Sequence, residues 1–237
     1  MLASGAGKRF AEVGYDKPKP LIDIGGRPMI EIAAKNVGID GRYIYVLQRQ
    51  HWLDYESTLA ESFNKVSDDW DVVFVDGITD GAARSALLAK TLINNKEPLL
   101  VVNSDQFVCY DVKLFQKRIE AGFFHSVILT FKANEPKWSY VGFDESGYVN
   151  RVAEKVKISS TATVGYYGFN RGKDFVRAAE DMVLANDTFN NEFYVAPSIN
   201  YLIKSGGLVD SFPAKWMYGL GDPESLEMFK EDFRGLV

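Results

Sequence analysis

Along the first 130 positions, apolar runs alternate with segments whose apolar residues recur every three or four places. "RYIYVL", "WDVVFV", "PLLVVNSD" and "HSVILTF" are strand-sized and apolar almost throughout, as strands covered by helices on both faces are. Between them, 52–64, "DGAARSALLAKTLI" and 112–121 carry helical spacing, with Asp80 placed to cap the second of these. This β-α-β-α-β series predicts an α/β fold with an open, mostly parallel sheet, right-handed crossovers and flanking helices. After about residue 132 the rhythm changes. "YVGFDESGYVNRVAEK" predicts a hairpin turned at Glu145-Ser146-Gly147, and "ATVGYYGF" a further strand. "GKDFVRAAEDMVLAN" predicts an amphipathic helix, and "FYVAPSINYLIKSG" a helix ending at Gly206. The second half therefore reads as a small β-rich subdomain built against the first sheet, with a cleft between the halves. Met1–Ala3 is expected to pair as a short strand between two longer ones.

Ligands of open α/β sheets bind beyond the carboxyl ends of the strands. The segments "LASGAGKRF", "DGITDGAA" and "NSDQF" all fall at such ends. Composition sharpens that picture. The chain has 237 residues, 46% of them hydrophobic, which is enough for a sizeable core. Its net charge of −5 argues against nucleic acid or an anionic membrane as the partner. The start is locally basic, however: Lys8, Arg9, Lys17, Lys19 and Arg27 stand against Glu12, Asp16 and Asp23, which suits a small anionic ligand. The apolar runs are too short to cross a bilayer, and no basic-then-apolar leader precedes the glycine loop, so a cytoplasmic location is expected. The lone Cys109 reads as a buried small apolar residue.

Gly5-Ala6-Gly7-Lys8-Arg9 has the glycines that let backbone N–H groups approach phosphate oxygens. It lacks the G-x-x-x-x-G-K-[ST] spacing of a P-loop and the third glycine of the dinucleotide fingerprint. "KPKPLIDIGGRPMI" follows. Pro18 and Pro20 impose an extended path that aims Lys19, and Pro28 stands near N1 of the helix "MIEIAAKNV". At the end of an apolar strand, Asp105 of "NSDQF" is a carboxylate able to hold Mg²⁺ against nucleotide phosphates, or to cap a turn.

Together "LASGAGKRF", "KPKPLIDI" and "GGRPMI" resemble the signature of the sugar-1-phosphate nucleotidyltransferases, the NDP-sugar pyrophosphorylase-like superfamily. The family pattern runs roughly L-A-[AG]-G-x-G-[ST]-R-[LMF], P-K-P-L and G-[KR]-P-[ML]; Lys8 departs from its usual Ser or Thr. "NSDQ" and "AEKVKISSTATVG" resemble a branch that includes cytidylyltransferases of non-sugar phosphates, and the likeness extends over nearly the full length. The resemblance implies a Rossmann-like (GT-A-like) single domain over 1–237, with a nucleotide-binding half at 1–132 and an acceptor-binding half at 133–237.

It also implies roles for residues. Arg9 and Lys19 are the catalytic cations, Arg9 on the β- and γ-phosphates, Lys19 on the α-phosphate and the acceptor phosphate. Ala3, Gly5, Ala6, Gly7, Lys8, Gly81, Ala82 and Ser104 bind the nucleotide. Tyr140, Glu154, Lys155 and Gly165 face the acceptor, although adjacent strand residues such as Glu154 and Lys155 point to opposite faces unless the chain bends. Asp105 is a metal ligand. The family's second metal ligand aligns with Gly219 of "WMYGLGDPESL", leaving Asp222 as the nearest acid; Asp222-Pro223-Glu224 is equally a good helix start. His51 has a packing role, since an anionic acceptor phosphate needs no general base.

The implied activity joins an NTP (CTP, UTP or dTTP) to a phosphorylated acceptor, foremost a sugar 1-phosphate, with Mg²⁺ as cofactor and pyrophosphate as by-product. The alternatives are a cytidylyltransferase of phosphocholine or a phospho-amino-acid amide, and a nucleotide-binding relative with a regulatory role. A glycosyltransferase is disfavoured because Asn103 replaces the first acid of a D-x-D motif. Homo-oligomers are left open.

Overall fold

The computed structural model describes residues 1–233. Its contacts divide into two compact units, each drawn from separate stretches of chain. The first contains Met1–Ile78, Asn103–Cys109 and the segment from Trp216 onward; the second contains Thr79–Val102 and Tyr110–Lys215.

The first unit is built on a parallel sheet in the order Leu2–Ala3, Tyr43–Gln48, Trp70–Val75. Leu2 and Ala3 pair with Val46 and Leu47, and Leu2 also bridges Asn103 in parallel. The expected short strand therefore has partners on both sides. The helices Met29–Val37 and Arg49–Asn64 connect these strands. Ala3, Leu21, Ile30, Ala34, Tyr45, Leu47, Leu59 and Phe63 form one core cluster. Phe10, Ile22, Ile24, Met29, Ile32, Leu220, Leu226 and Phe229 form another. Neighbours Leu21 and Ile22 thus enter different clusters, which fixes the turn carrying Lys19. That turn is a single 3₁₀ turn, Lys19–Leu21, and not the extended path expected from its prolines. Pro20 is tolerated there because the first helical turn does not use its missing N–H. Likewise Pro28 is the N-cap and not N1: Asp23–Ile24 and Arg27–Pro28 close a tight hairpin over Gly25-Gly26 before the helix starts.

Asn36 locks the strand Gln106–Cys109 onto this unit. Its Oδ1 accepts from Val108 N at 2.6 Å and its Nδ2 donates to Val108 O at 3.0 Å. Val108 is 2% exposed, so loss of the amide leaves buried backbone groups unpaired. Asn36→Ala is expected to cost about 1–3 kcal/mol and to lower the melting temperature by roughly 5 °C, measurable by calorimetry.

The second unit holds a six-stranded sheet ordered Val149–Ala153, Tyr140–Phe143, Thr161–Phe169, Ser126–Lys132, Val209–Pro213, with Leu99–Val102 also on Thr161–Phe169. Thr161–Phe169 is buried at all nine positions. Leu99–Val102 and Ser126–Lys132 both run antiparallel to it and so share one direction. Ser126–Lys132 and Val209–Pro213 pair in parallel. Thr161–Phe169 and Val149–Ala153 thus run against the other four strands, and this sheet is mixed where a mostly parallel one was expected; the order of elements in the sequence does not reveal the reversal. The expected hairpin is present: Asp144 N donates to Tyr148 O and Gly147 N to Asp144 O. Gly172–Leu184 and Val195–Lys204 are helices, and Gly206 lies beyond the latter at φ 87°.

The helix expected over "DGAARSALLAKTLI" is split into Ala82–Leu87 and Lys90–Ile93. Leu88 and Ala89 N–H reach back three residues, to Ser85 and Ala86, which ends the first piece. Asp80 does not cap it. Gly81 occupies the cap at φ 122°, ψ 167°, and Asp80 pairs with Arg84 at 3.0 Å. Cys109 is half-buried at a strand end. His51 sits in the first turn of Arg49–Asn64, its pKa lowered by burial.

Candidate functional site

In the first unit, chain direction reverses at Gly7, which adopts φ 62° and ψ 22° before the single helical turn Lys8–Ala11. A side chain at Gly7 would meet Lys19 Cβ at 3.1 Å, so the glycine loop lies directly on the lysine segment. Gln48 Nε2 donates to Ser4 O at 2.9 Å and anchors the loop's start. Phe10, 1% exposed, anchors its end. Between these anchors Gly5, Ala6, Lys8 and Arg9 face solvent, while Ala3 is buried. Among the described residues no carboxylate forms an ion pair with Lys8 or Arg9, so both charges are available to an anion.

Lys19 Nζ forms an ion pair with Asp105, each side chain 20% exposed. Asp105 lies between the buried Ser104 and Gln106. The late segment is stitched against it. Trp216–Gly219 pairs antiparallel with Gln106–Cys109, Gly219 standing across from Gln106, and Leu220 N donates to Asp105 O at 2.7 Å. A side chain at Gly221 would lie 2.7 Å from Asp105 Oδ2 and 3.8 Å from Lys19 Nζ. The structure thus gathers the Gly7 loop, Lys19, Asp105 and residues 219–222 in one place.

Asp222 has a structural task. Its Oδ1 accepts from Ser225 N at 2.9 Å and its Oδ2 from Ser225 Oγ at 3.0 Å, capping the helix Pro223–Asp232. Both of its oxygens are thereby engaged at the cap. No three His, Cys, Asp or Glu residues cluster as a metal site among the described residues. Mg²⁺ is commonly bound by one or two carboxylates together with substrate phosphates. Asp105 fits the one-carboxylate mode.

In the second unit, strand Val149–Ala153 delivers Glu154, and Asn200 holds that strand much as Asn36 holds the other. Val152 N donates to Asn200 Oδ1 and Asn200 Nδ2 to Val152 O, both at 2.8 Å. Glu154 is 9% exposed and accepts from Ser139 Oγ. Lys155 then turns at φ 52°, the bend that frees two adjacent residues from opposite strand faces. Its ammonium donates to Tyr194 Oη at 2.8 Å. Gly165, at φ 96°, lies where the register of Thr161–Phe169 against Ser126–Lys132 shifts. Tyr140 has no exposed surface and donates to Glu135 O at 2.7 Å; it supports the hairpin from within and does not line a surface, as had been expected of it. Gly81 and Ala82 are partly exposed, with Phe193 main chain packed against Gly81.

Burial raises the pKa of Glu154 above the ordinary carboxylate value; Ser139 and Lys155 partly offset this, and Glu192 adds to it. A raised acid favours the folded state most while protonated. That contribution is complete below the unfolded value and is lost as pH climbs through the folded one. Glu154→Gln should therefore be more stable than wild type at pH 7, with the difference shrinking toward pH 4. Paired thermal melts at the two pH values check this; equal differences would contradict it.

A family model described as nucleotidyl transferase matches residues 1–194. The chain belongs to the nucleotidyl transferase family. This nucleotidyltransferase family member is similar to the mannose-1-phosphate guanylyltransferase catalytic subunit beta of Dictyostelium discoideum, at 29% identity over 72% of this chain and 48% of the relative. It is also similar to the bifunctional protein GlmU of Thermotoga maritima, at 26% identity over 86% of this chain and 44% of the relative. The chain spans a little under half the length of these curated relatives. In fold it resembles a nucleoside-diphosphate-sugar pyrophosphorylase from Vibrio cholerae RC9, with TM-score 0.82 and 20% identity over 97% of this chain and 98% of that one. It likewise resembles the inositol-1-phosphate CTP transferase from T. maritima, with TM-score 0.72 and 17% identity over 100% and 95%.

Within this family member, sequence reasoning placed Ser139, with Trp138 and Tyr140, at the acceptor pocket or its rim, but missed Asn36, Asn200 and Tyr194. None of these three belongs to a local motif. Each acts on a residue 39 to 72 positions away, a distance that sequence spacing does not encode.

Proposed function

We propose that this chain joins a nucleoside triphosphate to a sugar 1-phosphate and releases pyrophosphate. The observation that carries the proposal is the Lys19–Asp105 pair held against the Gly7 loop and Gly221. An oxygen of the acceptor phosphate attacks the α-phosphorus. The bond from the α-phosphorus to the α–β bridging oxygen breaks, and pyrophosphate leaves with that oxygen. The attacking group is already an anion, so no proton need be removed, and catalysis is positioning together with charge stabilisation. In this reading the backbone of Ala3 and Gly5–Lys8, with Ser104, holds the triphosphate. Arg9 meets the β- and γ-phosphates. Lys19 meets the α-phosphate and the incoming acceptor phosphate. Asp105 would hold Mg²⁺, which when bound supplies neutralising charge at the phosphates.

The second unit supplies the acceptor side in this reading. Glu154 accepts from acceptor hydroxyls, Lys155 meets the acceptor phosphate, and the missing side chain at Gly165 leaves room for the acceptor. Gly81 and Ala82 let main chain approach base and ribose. The halves 1–132 and 133–237 divide nucleotide from acceptor duties only approximately, since Asp105 and residues 219–222 come from both. Phosphocholine is a poorer acceptor candidate, because a quaternary ammonium needs a free aromatic cage. The aromatic pair at Lys155 is already taken: Lys155 Nζ lies 4.6 Å from the Tyr194 ring centre and 5.6 Å from that of Phe189. No helix among the described residues is long and apolar enough to cross a membrane, in keeping with the proposed cytoplasmic location.

The test is a grid of the four NTPs against sugar 1-phosphates, phosphocholine and a phospho-amino-acid amide, read as pyrophosphate release. Release that requires both an NTP and a sugar 1-phosphate supports the proposal. Calorimetric nucleotide binding with no release for any acceptor overturns it in favour of a regulatory nucleotide-binding protein.

A further inference from the structure

We propose that Tyr194 is a positioning residue that fixes the Lys155 ammonium for an incoming phosphate; this rests on Lys155 being the acceptor-phosphate cation. Lys155 is a non-glycine residue at positive φ, a conformation that persists where surrounding contacts enforce it. Three such contacts converge on its ammonium: the Tyr194 hydroxyl at 2.8 Å, the Tyr194 ring at 4.6 Å and the Phe189 ring at 5.6 Å. The hydroxyl has one proton, and it goes to Glu192 Oε2. Its lone pair is thereby turned toward Lys155. The relay runs ammonium to hydroxyl to carboxylate, so Lys155 is held without a direct ion pair to any carboxylate among the described residues. A lysine held by a hydroxyl and two ring faces keeps its charge for a ligand.

Tyr194 itself stands on a rigid base. Asn190 and Asn191, at φ 51° and 61°, make a two-residue turn closed by Phe189 N to Glu192 O and Glu192 N to Phe189 O, both 3.0 Å. The next residue, Phe193, donates to Asp80 O at 2.7 Å and accepts from Ala83 N at 2.9 Å, straddling Gly81. One peptide therefore separates the Gly81 loop from the tyrosine that holds Lys155. Neighbouring Tyr201 donates to Asp187 Oδ2 at 3.0 Å and serves as a control outside this relay.

Two readouts test the proposal. The first is competitive acetylation of amines by acetic anhydride, followed by mass spectrometry at Lys155, which does not require turnover. The second is the steady-state KM for the sugar 1-phosphate. Tyr194→Phe keeps the ring and removes the hydroxyl. It should raise Lys155 labelling severalfold and acceptor KM by about tenfold with kcat within about twofold, the pattern for lost uniform binding. Glu192→Ala, at an exposed site where folding is not at risk, should move both in the same direction by less. Tyr201→Phe should move neither. Unchanged labelling and KM in Tyr194→Phe overturns the proposal, as does a fall in thermal stability with KM and kcat altered alike. If wild type releases no pyrophosphate, the proposed activity fails, while labelling still decides whether Tyr194 positions Lys155.

Discussion

Lys19→Ala is expected to lower turnover by roughly 10²–10³ while leaving the fold in place, the range for loss of one preorganised charge donor. Its contact with the Gly7 loop is made through Cβ, which alanine retains. Leu21 and Ile22 continue to anchor the 3₁₀ turn in their two core clusters. What disappears is the ammonium and its pairing with Asp105. The pair is mostly buried, each side chain 20% exposed, so the variant leaves the Asp105 carboxylate unpaired and should melt somewhat below wild type. Turnover is therefore compared at a temperature where melts show both proteins folded. Lys19→Arg should restore little, because a planar fork does not replace a compact ammonium packed beside Gly221. Pyrophosphate release at saturating NTP and acceptor is the measurement. Turnover like that of wild type in Lys19→Ala would remove this residue from the chemistry.

Gly81→Ala should be strongly damaging to the second unit. At φ 122° and ψ 167° glycine is almost the sole residue tolerated. The added Cβ would lie 2.4 Å from both N and O of Phe193, and backbone cannot rotate away as a side chain can. Relief requires giving up the bonds of Phe193 to Asp80 and Ala83. We expect a loss of more than about 3 kcal/mol, since strain and clash add. The melting temperature should fall by roughly 10 °C. Because Phe193 precedes Tyr194, the surviving folded fraction should also bind the acceptor less tightly. Melting within about 2 °C of wild type would show that the close approach is dispensable.

Most strands were legible as short, nearly continuous apolar runs, the mark of burial on both faces, and most helices by apolar positions recurring every three or four residues. The Asp222 cap was legible for a similar reason: Asp-Pro-Glu serves the first turn of a helix locally. Where function depends on distant partners, less was legible. Lys19 and Asp105 were each assigned to the site from their motifs, but their direct pairing across 86 positions is made by the fold. The amides of Asn36 and Asn200 look like surface polar residues in sequence, yet each closes two bonds to a buried strand. Lys155 at positive φ carries no sequence signal at all, because lysine is not a residue that favours that region. The split at Leu88-Ala89 escaped notice since both pieces retain one continuous helical spacing. Tyr140 misled because a tyrosine at the edge of a proposed acceptor site looks exposed until its strand neighbours enclose it.

The central claim is that acceptor phosphate attacks the α-phosphorus, and oxygen tracing tests it most directly. The reaction is run with sugar 1-phosphate carrying ¹⁸O in its phosphate, and products are read by ³¹P NMR. The account predicts that all label remains in the nucleoside-diphosphate sugar, including its bridging oxygen, and that the pyrophosphate is unlabelled. Label in the pyrophosphate, or free nucleoside monophosphate in place of the conjugate, would contradict it.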